Sequence, residues 1–208
     1  MSAQRVDYLG EGLDESQLAA TPLAQVQRWL ADATAREDVF EPTAMAVATV
    51  GADLVPDVRT VLMRFLDGHG PGFVSSTTSA KATELAANPG IAASLTWVPM
   101  FRAVRFRGQA EAIPADELAA YWRTRPWGSR ISAWASAQSQ PVAGRADLEA
   151  AFARYAAQWP DRGGADDVPV PADWAGWRVH CRSVELWAGR RNRLHDRLRF
   201  VRVADGTL

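Results

Sequence analysis

The densest group of residues able to do chemistry lies near the end of the chain, in Trp187-Ala-Gly-Arg-Arg-Asn-Arg-Leu-His-Asp-Arg197. An extended backbone there puts Arg193, His195 and Arg197 on one face, because side chains alternate with period two. Two guanidiniums flanking an imidazole suit an anionic ligand whose reacting atoms lie close to the ring. The alternative is a solvated basic edge strand kept from aggregating by its charges, and spacing alone favours it. Trp187 at the head of the segment shifts the balance slightly back towards a ligand.

A second group is Tyr121-Trp-Arg-Thr-Arg-Pro-Trp-Gly-Ser129. Tyr121 and Arg125 stand four apart and share a helix face, while Ser129 follows the break at Pro126. Phenol, guanidinium and hydroxyl converging on a helix N-terminus suit a phosphate. An amphipathic helix end with a capping serine accounts for the same residues and is the stronger reading without other information.

A third group joins Arg59-Thr-Val-Leu-Met-Arg64 to Ser79-Ala-Lys81. A guanidinium inside an apolar strand needs a partner, either a bound phosphate or an ion pair between strands or subunits. Arg59 and Arg64 differ by an odd number, so both reach one ligand only across a bulge or a strand end. Ser79 and Lys81 open a helix, where free amides favour anions, although simple capping also explains Ser79. Gln138-Ser139, next to a helix end, says nothing alone beyond a loop.

Other chemistries find no footing. The three histidines, His69, His180 and His195, are too scattered for metal-ligand spacing. No phosphate-binding glycine loop, dinucleotide fingerprint or nucleophile elbow is present. Cys181 is the single cysteine, which excludes an intrachain disulfide and fits a reducing cytosol. It reads as a small buried residue rather than a reactive thiol. The formal net charge of −1 offers no basic field for nucleic acid or anionic membrane. Met1 to Gly10 lacks an apolar signal-peptide core, and no window approaches the apolar length of a membrane span. The expectation is a cytoplasmic protein.

These residues need a scaffold, and the pattern supplies one. Residues 1–20 are polar and mixed and read as a loosely held arm; 21–208 read as one domain. Thr21 and Pro22 open a helix carrying Leu23, Val26, Trp29, Leu30 and Ala33. Strands are predicted at about 44–50, 57–65, 72–75, 91–97, 103–113, 177–184, 185–188 and 198–203. Helices are predicted from Ser79 to about Ala87, from Ala115 to Thr124, from Ser129 to Ala137 and from Arg145 to Gln158. Strands joined mostly by turns, with helices inserted between some pairs, argue an antiparallel barrel rather than regular βαβ winding. Nine tryptophans are many for 208 residues; most should be core or interface, and some are free to cover an aromatic cofactor.

In this order the segments resemble the pyridoxine/pyridoxamine 5′-phosphate oxidase family. The signature is Arg193-Leu-His-Asp-Arg197 after Glu185-Leu-Trp187. It is joined by Tyr121…Arg125-Pro…Ser129, Ala133-Trp134-Ala-Ser136-x-Gln138-Ser139, Pro42-Thr-Ala-Met45 and Trp174-Ala-Gly-Trp-Arg178. The resemblance runs from about Asp7 to Val203. It implies a mainly β fold with added helices: an FMN-binding split β-barrel, homodimeric, with two flavin sites at the subunit interface. Arg59, Val74, Ser75, Ser79 and Lys81 would hold FMN, completed by Gln138, Ser139, Trp187 and Arg197. Tyr121, Arg125 and Ser129 would hold the substrate phosphate, and Arg64 would serve both ligands. Arg193 and His195 would lie over the pyridine ring as the catalytic pair.

The implied reaction moves a hydride from the 4′ carbon of pyridoxine or pyridoxamine 5′-phosphate to the flavin, which oxygen reoxidises, giving pyridoxal 5′-phosphate and peroxide. The chain departs from the family at Arg64, where a lysine is usual, at Ala80 for an arginine, at Ala103 for a flavin-contacting glutamine, and in ending at Leu208 without the Arg-Leu-x-Pro close. The alternatives are a flavin oxidase of the phenazine-biosynthesis type, a deazaflavin (F420) reductase of the same barrel superfamily, and a non-catalytic FMN or pyridoxal phosphate binder.

Overall fold

The computed structural model describes residues 7–203 and 206–208. Among these, eight strands form one antiparallel sheet: β1 (Ala44–Val50), β2 (Pro56–Leu62), β3 (Phe65–Asp67), β4 (Gly70–Ser76), β5 (Gly90–Trp97), β6 (Arg102–Ala112), β7 (Trp174–Ala188) and β8 (Asp196–Val201). Their spatial order is β2-β1-β5-β6-β7-β4-β3, with β8 also on β7. The two ends of that order meet at Met63–Arg64. There the Met63 amide bonds the Thr43 carbonyl and the Arg64 amide the Gly72 carbonyl, each at 2.8 Å. The sheet therefore curls into a split barrel rather than lying open.

β7 organises the sheet. β6 pairs with nearly its whole length, with a register shift at Arg107/Gly108. Its other edge is shared: β4 pairs with residues 174–178 and β8 with residues 183–188. The sequence pattern predicts two strands that meet at Val184/Glu185, but the backbone runs straight through. Alternation explains the core. Val104 and Phe106 are fully buried while Arg105 and Arg107 face solvent, as a one-sided strand requires. Met45, Val47, Phe73, Leu95, Val184 and Leu186 fill the same interior.

α1 (Pro22–Thr34) closes one side of the barrel with Val26 and Trp29. Its cap is the predicted one: Thr21 Oγ1 accepts the Ala24 amide at 3.1 Å. α2 (Ala80–Ala87) follows β4. A second layer is helical, built from α3 (Ala115–Thr124), α4 (Trp127–Ala135) and α5 (Arg145–Gln158). Trp122, Ile131 and Val168 form its own small core, with Trp127, Trp134, Trp159 and Trp174 packed around. The indoles also fasten the loop beyond α5, donating from Trp122 to the Val168 carbonyl, Trp127 to Trp159 and Trp134 to Pro169 at 2.8–2.9 Å. The surplus of tryptophan is thus largely structural.

Two boundaries bear on the site. α4 begins at Trp127, two residues before the predicted start and directly after Pro126, whose ring cannot continue α3. Ser129 is therefore its third residue. β8 begins only at Asp196, so Arg193 and His195 precede it, and the period-two face inferred for Arg193, His195 and Arg197 does not exist. In its place Arg191–Arg193 make a 3-10 turn with left-handed Asn192 and Arg193 at φ 57° and 61°.

Of the stretch read as an arm, residues 1–6 lie outside the described residues. Within the rest, Tyr8 and Leu13 touch the barrel side. Tyr8 packs on Phe101 at 5.0 Å between ring centroids, and the Leu13 amide bonds Asp196.

Candidate active site

A cleft of about 600 Å³ opens between the end of β2, the inner strand β4, α2 and the α3–α4 corner. Arg64, Val74, Ser75, Lys81, Tyr121, Arg125, Ser129 and Gln138 all line it. Eight residues singled out in four separate stretches of sequence thus meet around one space.

Its floor is polar and cationic. Lys81 and Ser79, from the first turn of α2 and its cap, are buried beside Ser75 of β4. The Lys81 ammonium donates to the Gln138 carbonyl oxygen at 2.7 Å and to Ser75 Oγ at 3.2 Å, both neutral partners. Ser75 Oγ also bonds Gln138, and lies 3.3 Å from Ser79 Oγ. Burial, then the charge of Arg59, pushes the Lys81 pKa down. Ser139, in a left-handed conformation at φ 67°, accepts the Ala80 amide at 3.1 Å and so covers the start of α2. A buried ammonium whose hydrogen-bond partners are both neutral is costly unless an anion joins it; the charges of Glu84 and Asp57 only partly offset the cost of its burial.

Arg59 behaves differently from Arg64. It sits within β2 and turns to Glu84 on α2 at 2.9 Å, Asp57 at 2.6 Å and Thr49 Oγ1. The ion pair between elements, one of the two partners open to Arg59 in the sequence, is the one present, and Arg59 does not line the cleft. Arg64 lies beyond the strand end and enters it, which resolves the odd spacing. The partners of Arg59 were not named from sequence. Asp57 was legible by period two, whereas Glu84 needed the docking of α2 on β1.

The opposite wall is a guanidinium held without a counter-ion. Arg125 caps the C-terminus of α3 and stacks over Trp174 at 4.5 Å and Trp122 at 5.3 Å. One nitrogen, Nη2, donates to the Ser129 carbonyl at 2.9 Å; Nη1 is buried with no partner. Burial lowers the Arg125 pKa; the charges of Arg64 and Arg130 add to this and Tyr121 opposes it. Tyr121, one turn earlier, packs on Phe65 at 5.4 Å between ring centroids. The α4 N-terminus follows directly, so an orphaned donor, a phenol, a hydroxyl and a helix end face the same cleft.

The remaining predicted residues lie elsewhere. Ser75 pairs with Ala175 of β7, and Trp187 is twelve residues further along that strand, roughly 40 Å at 3.3 Å per residue. Around Trp187 stand His195 at 4.8 Å and Tyr8 at 6.1 Å between ring centroids, with the Arg193 guanidinium 5.8 Å over Tyr8. The Arg190 amide donates to His195 Nδ1 at 3.1 Å, so the neutral ring carries its proton on Nε2. Ala103 is opposite Trp187 in register. Arg197, on β8, pairs with Glu185 through Nε at 3.2 Å and Nη2 at 2.9 Å, and Arg105 joins the same carboxylate at 2.6 Å. The sequence missed Tyr8 and Glu185 as neighbours of this group. Beside Arg105 and Glu185 the sheet presents a hollow of about 430 Å³ lined by Ala46, Ala48, Ala92 and Ser94.

Comparison with known proteins identifies the family of this fold. Residues 31–159 match the pyridoxamine 5′-phosphate oxidase family model, and residues 174–207, from the first residue of β7, match the pyridoxine 5′-phosphate oxidase C-terminal dimerisation region. Curated pyridoxine/pyridoxamine 5′-phosphate oxidases from Streptomyces avermitilis and Kineococcus radiotolerans are each 47% identical. Each alignment covers 99% of this chain, and 92% and 91% of those proteins. Among solved structures, PhzG from Burkholderia lata 383, in complex with tetrahydrophenazine-1-carboxylic acid, aligns with a TM-score of 0.84 and 28% identity over 95% of both chains. The chain belongs to the pyridoxine/pyridoxamine 5′-phosphate oxidase family.

Proposed function

We propose that this chain oxidises pyridoxine 5′-phosphate or pyridoxamine 5′-phosphate to pyridoxal 5′-phosphate, with FMN as cofactor and oxygen as acceptor. The observation that carries the reading is the cleft with two unmet cationic demands: Lys81 on its floor and Arg125 Nη1 on its wall. Two anionic groups, a flavin phosphate and a substrate phosphate, answer them. Bound FMN supplies a two-electron acceptor that oxygen can regenerate.

The chain's own residues provide position and charge. Lys81, Ser75, Ser79, Gln138 and Ser139 hold the flavin's phosphate and ribityl chain, beside Val74. Arg59 adds positive potential from behind while Glu84 restrains it. Arg125, Tyr121 and Ser129 anchor the substrate phosphate away from the reacting carbon, which fixes orientation and removes rotational freedom. Arg64 stands between the two anion positions, an extended fork where an ammonium is usual, so it spans a longer gap.

Arg193, His195, Trp187 and Arg197 cannot reach the cleft of their own chain from the far end of β7. A second copy brings them there. The reading is therefore a homodimer in which each cleft takes its substrate-covering residues from the partner subunit, with the alanine-floored face buried between subunits. The match of residues 174–207 to a dimerisation region supports this arrangement. His195 with its proton on Nε2 would offer a donor to the substrate, and Arg193 a charge over the ring.

The likeness to PhzG in complex with tetrahydrophenazine-1-carboxylic acid favours one other reading, an oxidase acting on a different anionic aromatic. The test is anaerobic: load the protein with FMN, add pyridoxine 5′-phosphate, and follow the visible flavin absorption. Bleaching that reverses in air is expected. Bound flavin that stays oxidised with this substrate but bleaches with a reduced phenazine carboxylate would replace the first reading by the second.

A further inference from the structure

We propose that Asp196 is a positioning residue, whose carboxylate clasps Arg190 and the N-terminal segment together and thereby fixes the orientation of the His195 ring. Asp196 Oδ2 accepts two bonds, from Arg190 Nε at 2.5 Å and from the Leu13 amide at 2.7 Å. The Arg190 backbone N–H in turn holds His195 Nδ1 at 3.1 Å. Arg190 and Asp196 thus brace the two ends of the segment that carries Arg193 and His195.

That segment needs bracing. Asn192 and Arg193 both adopt left-handed backbone, which disfavours residues with a Cβ. No residue of the 191–193 turn is buried, and Arg193 and Leu194 are exposed. Burial of the turn itself therefore does not hold its shape; the ion pair that closes the loop from residue 190 to 196 can. Burial alone would raise the Asp196 pKa, and Asp14 adds to that, but the bonds from Leu13 and Arg190 outweigh both and keep it below the usual value. The clasp is therefore ionised at neutral pH.

Backbone shape around Gly12 makes room for the same contact. Gly12 lies at φ 80°, and a Cβ there would come within 2.2–2.4 Å of the Arg190 guanidinium. The chain leaves room for Arg190 to reach Asp196 by omitting a side chain from the N-terminal segment. That segment carries Tyr8, whose ring packs on His195 at 5.1 Å. One carboxylate thus fixes His195 from two directions: through the Arg190 amide, and through the strand of chain that lays Tyr8 against it.

The consequence for turnover rests on the function proposed above; the consequence for the ring and for Leu13 does not. The test compares the full-length FMN-loaded protein with Asp196→Ala, Asp196→Asn and Arg190→Ala. Long-range proton–nitrogen NMR of the imidazoles reports the tautomer, with His69 and His180 as internal references. Wild type is expected to show His195 protonated on Nε2. Asp196→Ala should give a tautomer-averaged signal, and exchange of the Leu13 amide should accelerate on the order of tenfold or more, as for loss of a bond to a charged acceptor. Asp196→Asn keeps an acceptor oxygen and should rescue Leu13 protection but not the Arg190 arm. Arg190→Ala likewise removes the Arg190 arm and should average the His195 signal while Leu13 stays protected. If Asp196→Ala does not fold, the other two variants still decide. An unchanged His195 signature in both Arg190→Ala and Asp196→Asn would overturn the clasp, as would unchanged Leu13 exchange in Asp196→Ala. Those two signals changing while pyridoxine 5′-phosphate oxidation is absent even in wild type would overturn only the substrate assignment.

Discussion

Removing the Arg125 guanidinium, which has no counter-ion in the cleft, should damage recognition of one substrate group and spare FMN binding. Arg125→Met keeps a long apolar side chain between Trp122 and Trp174 and deletes the guanidinium. Only one of its terminal nitrogens is free, since Nη2 is taken by the Ser129 carbonyl. The loss is thus one charge-assisted bond plus the local field, about 1.5–3 kcal/mol, or roughly 10- to 150-fold in kcat/KM at 1.4 kcal/mol per decade. The assay is steady-state peroxide production with pyridoxine 5′-phosphate and with unphosphorylated pyridoxine, alongside FMN binding by flavin fluorescence. The phosphorylated substrate should lose that factor, the unphosphorylated one about nothing, and FMN affinity should hold. An equal loss on both substrates would refute the placement of the phosphate at Arg125. Loss of FMN instead would assign the residue to the wrong anion.

Other expectations follow from the same geometry. Mixed dimers of Arg125→Met and His195→Ala subunits should recover about one quarter of wild-type activity, because half the random pairs contain one intact shared site; additive residual activities alone would mean that each chain builds its own site. Lys81 has a lowered pKa through burial and Arg59, so folding disfavours its charged form. That penalty is present at neutral pH and relieved as pH rises towards the usual lysine value of 10.5. Thermal melts should therefore show FMN stabilising most at neutral pH and progressively less in alkali, and Lys81→Met should flatten the trend. Cys181 is buried and its pKa is pushed up to about 12, so a thiol reagent should label it only after denaturation. Gly108→Ala puts a Cβ 1.9 Å from the His180 carbonyl at the register shift of β6, and should cost about 1–3 kcal/mol in chemical unfolding.

Much of this scaffold was legible because its signals are local. Thr21-Pro22 and Ser79 announce helix starts by capping chemistry that needs no tertiary information, and the alternation of Val104 and Phe106 with Arg105 and Arg107 declares which face of β6 is wet. The errors have equally physical causes. Nothing within residues 182–186 marks that β7 changes partner from β4 to β8, so its continuity was invisible. The turn at Arg191–Arg193 contains no glycine where its left-handed residues fall, which hid the break before β8. At the site, the residues contributed by β4, α2, α3 and α4 were readable as types, but their convergence depends on the sheet curling shut at Met63–Arg64. Asp196 went unnoticed as more than part of a motif because its partners, Leu13 and Arg190, come from distant or featureless sequence.

The position of β7 in the chain has a consequence for how the molecule is made. It is the strand that touches β4, β6 and β8, yet it begins at residue 174. As the polypeptide emerges from the ribosome, β1, β2, β5 and β6 can zip together early, but β6 then presents a free edge and β4 has no neighbour except the short β3. Both wait for nearly the whole of synthesis. Unpaired edges of that kind invite wrong strand partners, and closing so long a span makes the last step slow. Newly made chains should therefore lean on chaperones or cofactor more than the finished barrel's packing suggests, and truncations that clip β7 should aggregate rather than form a smaller barrel.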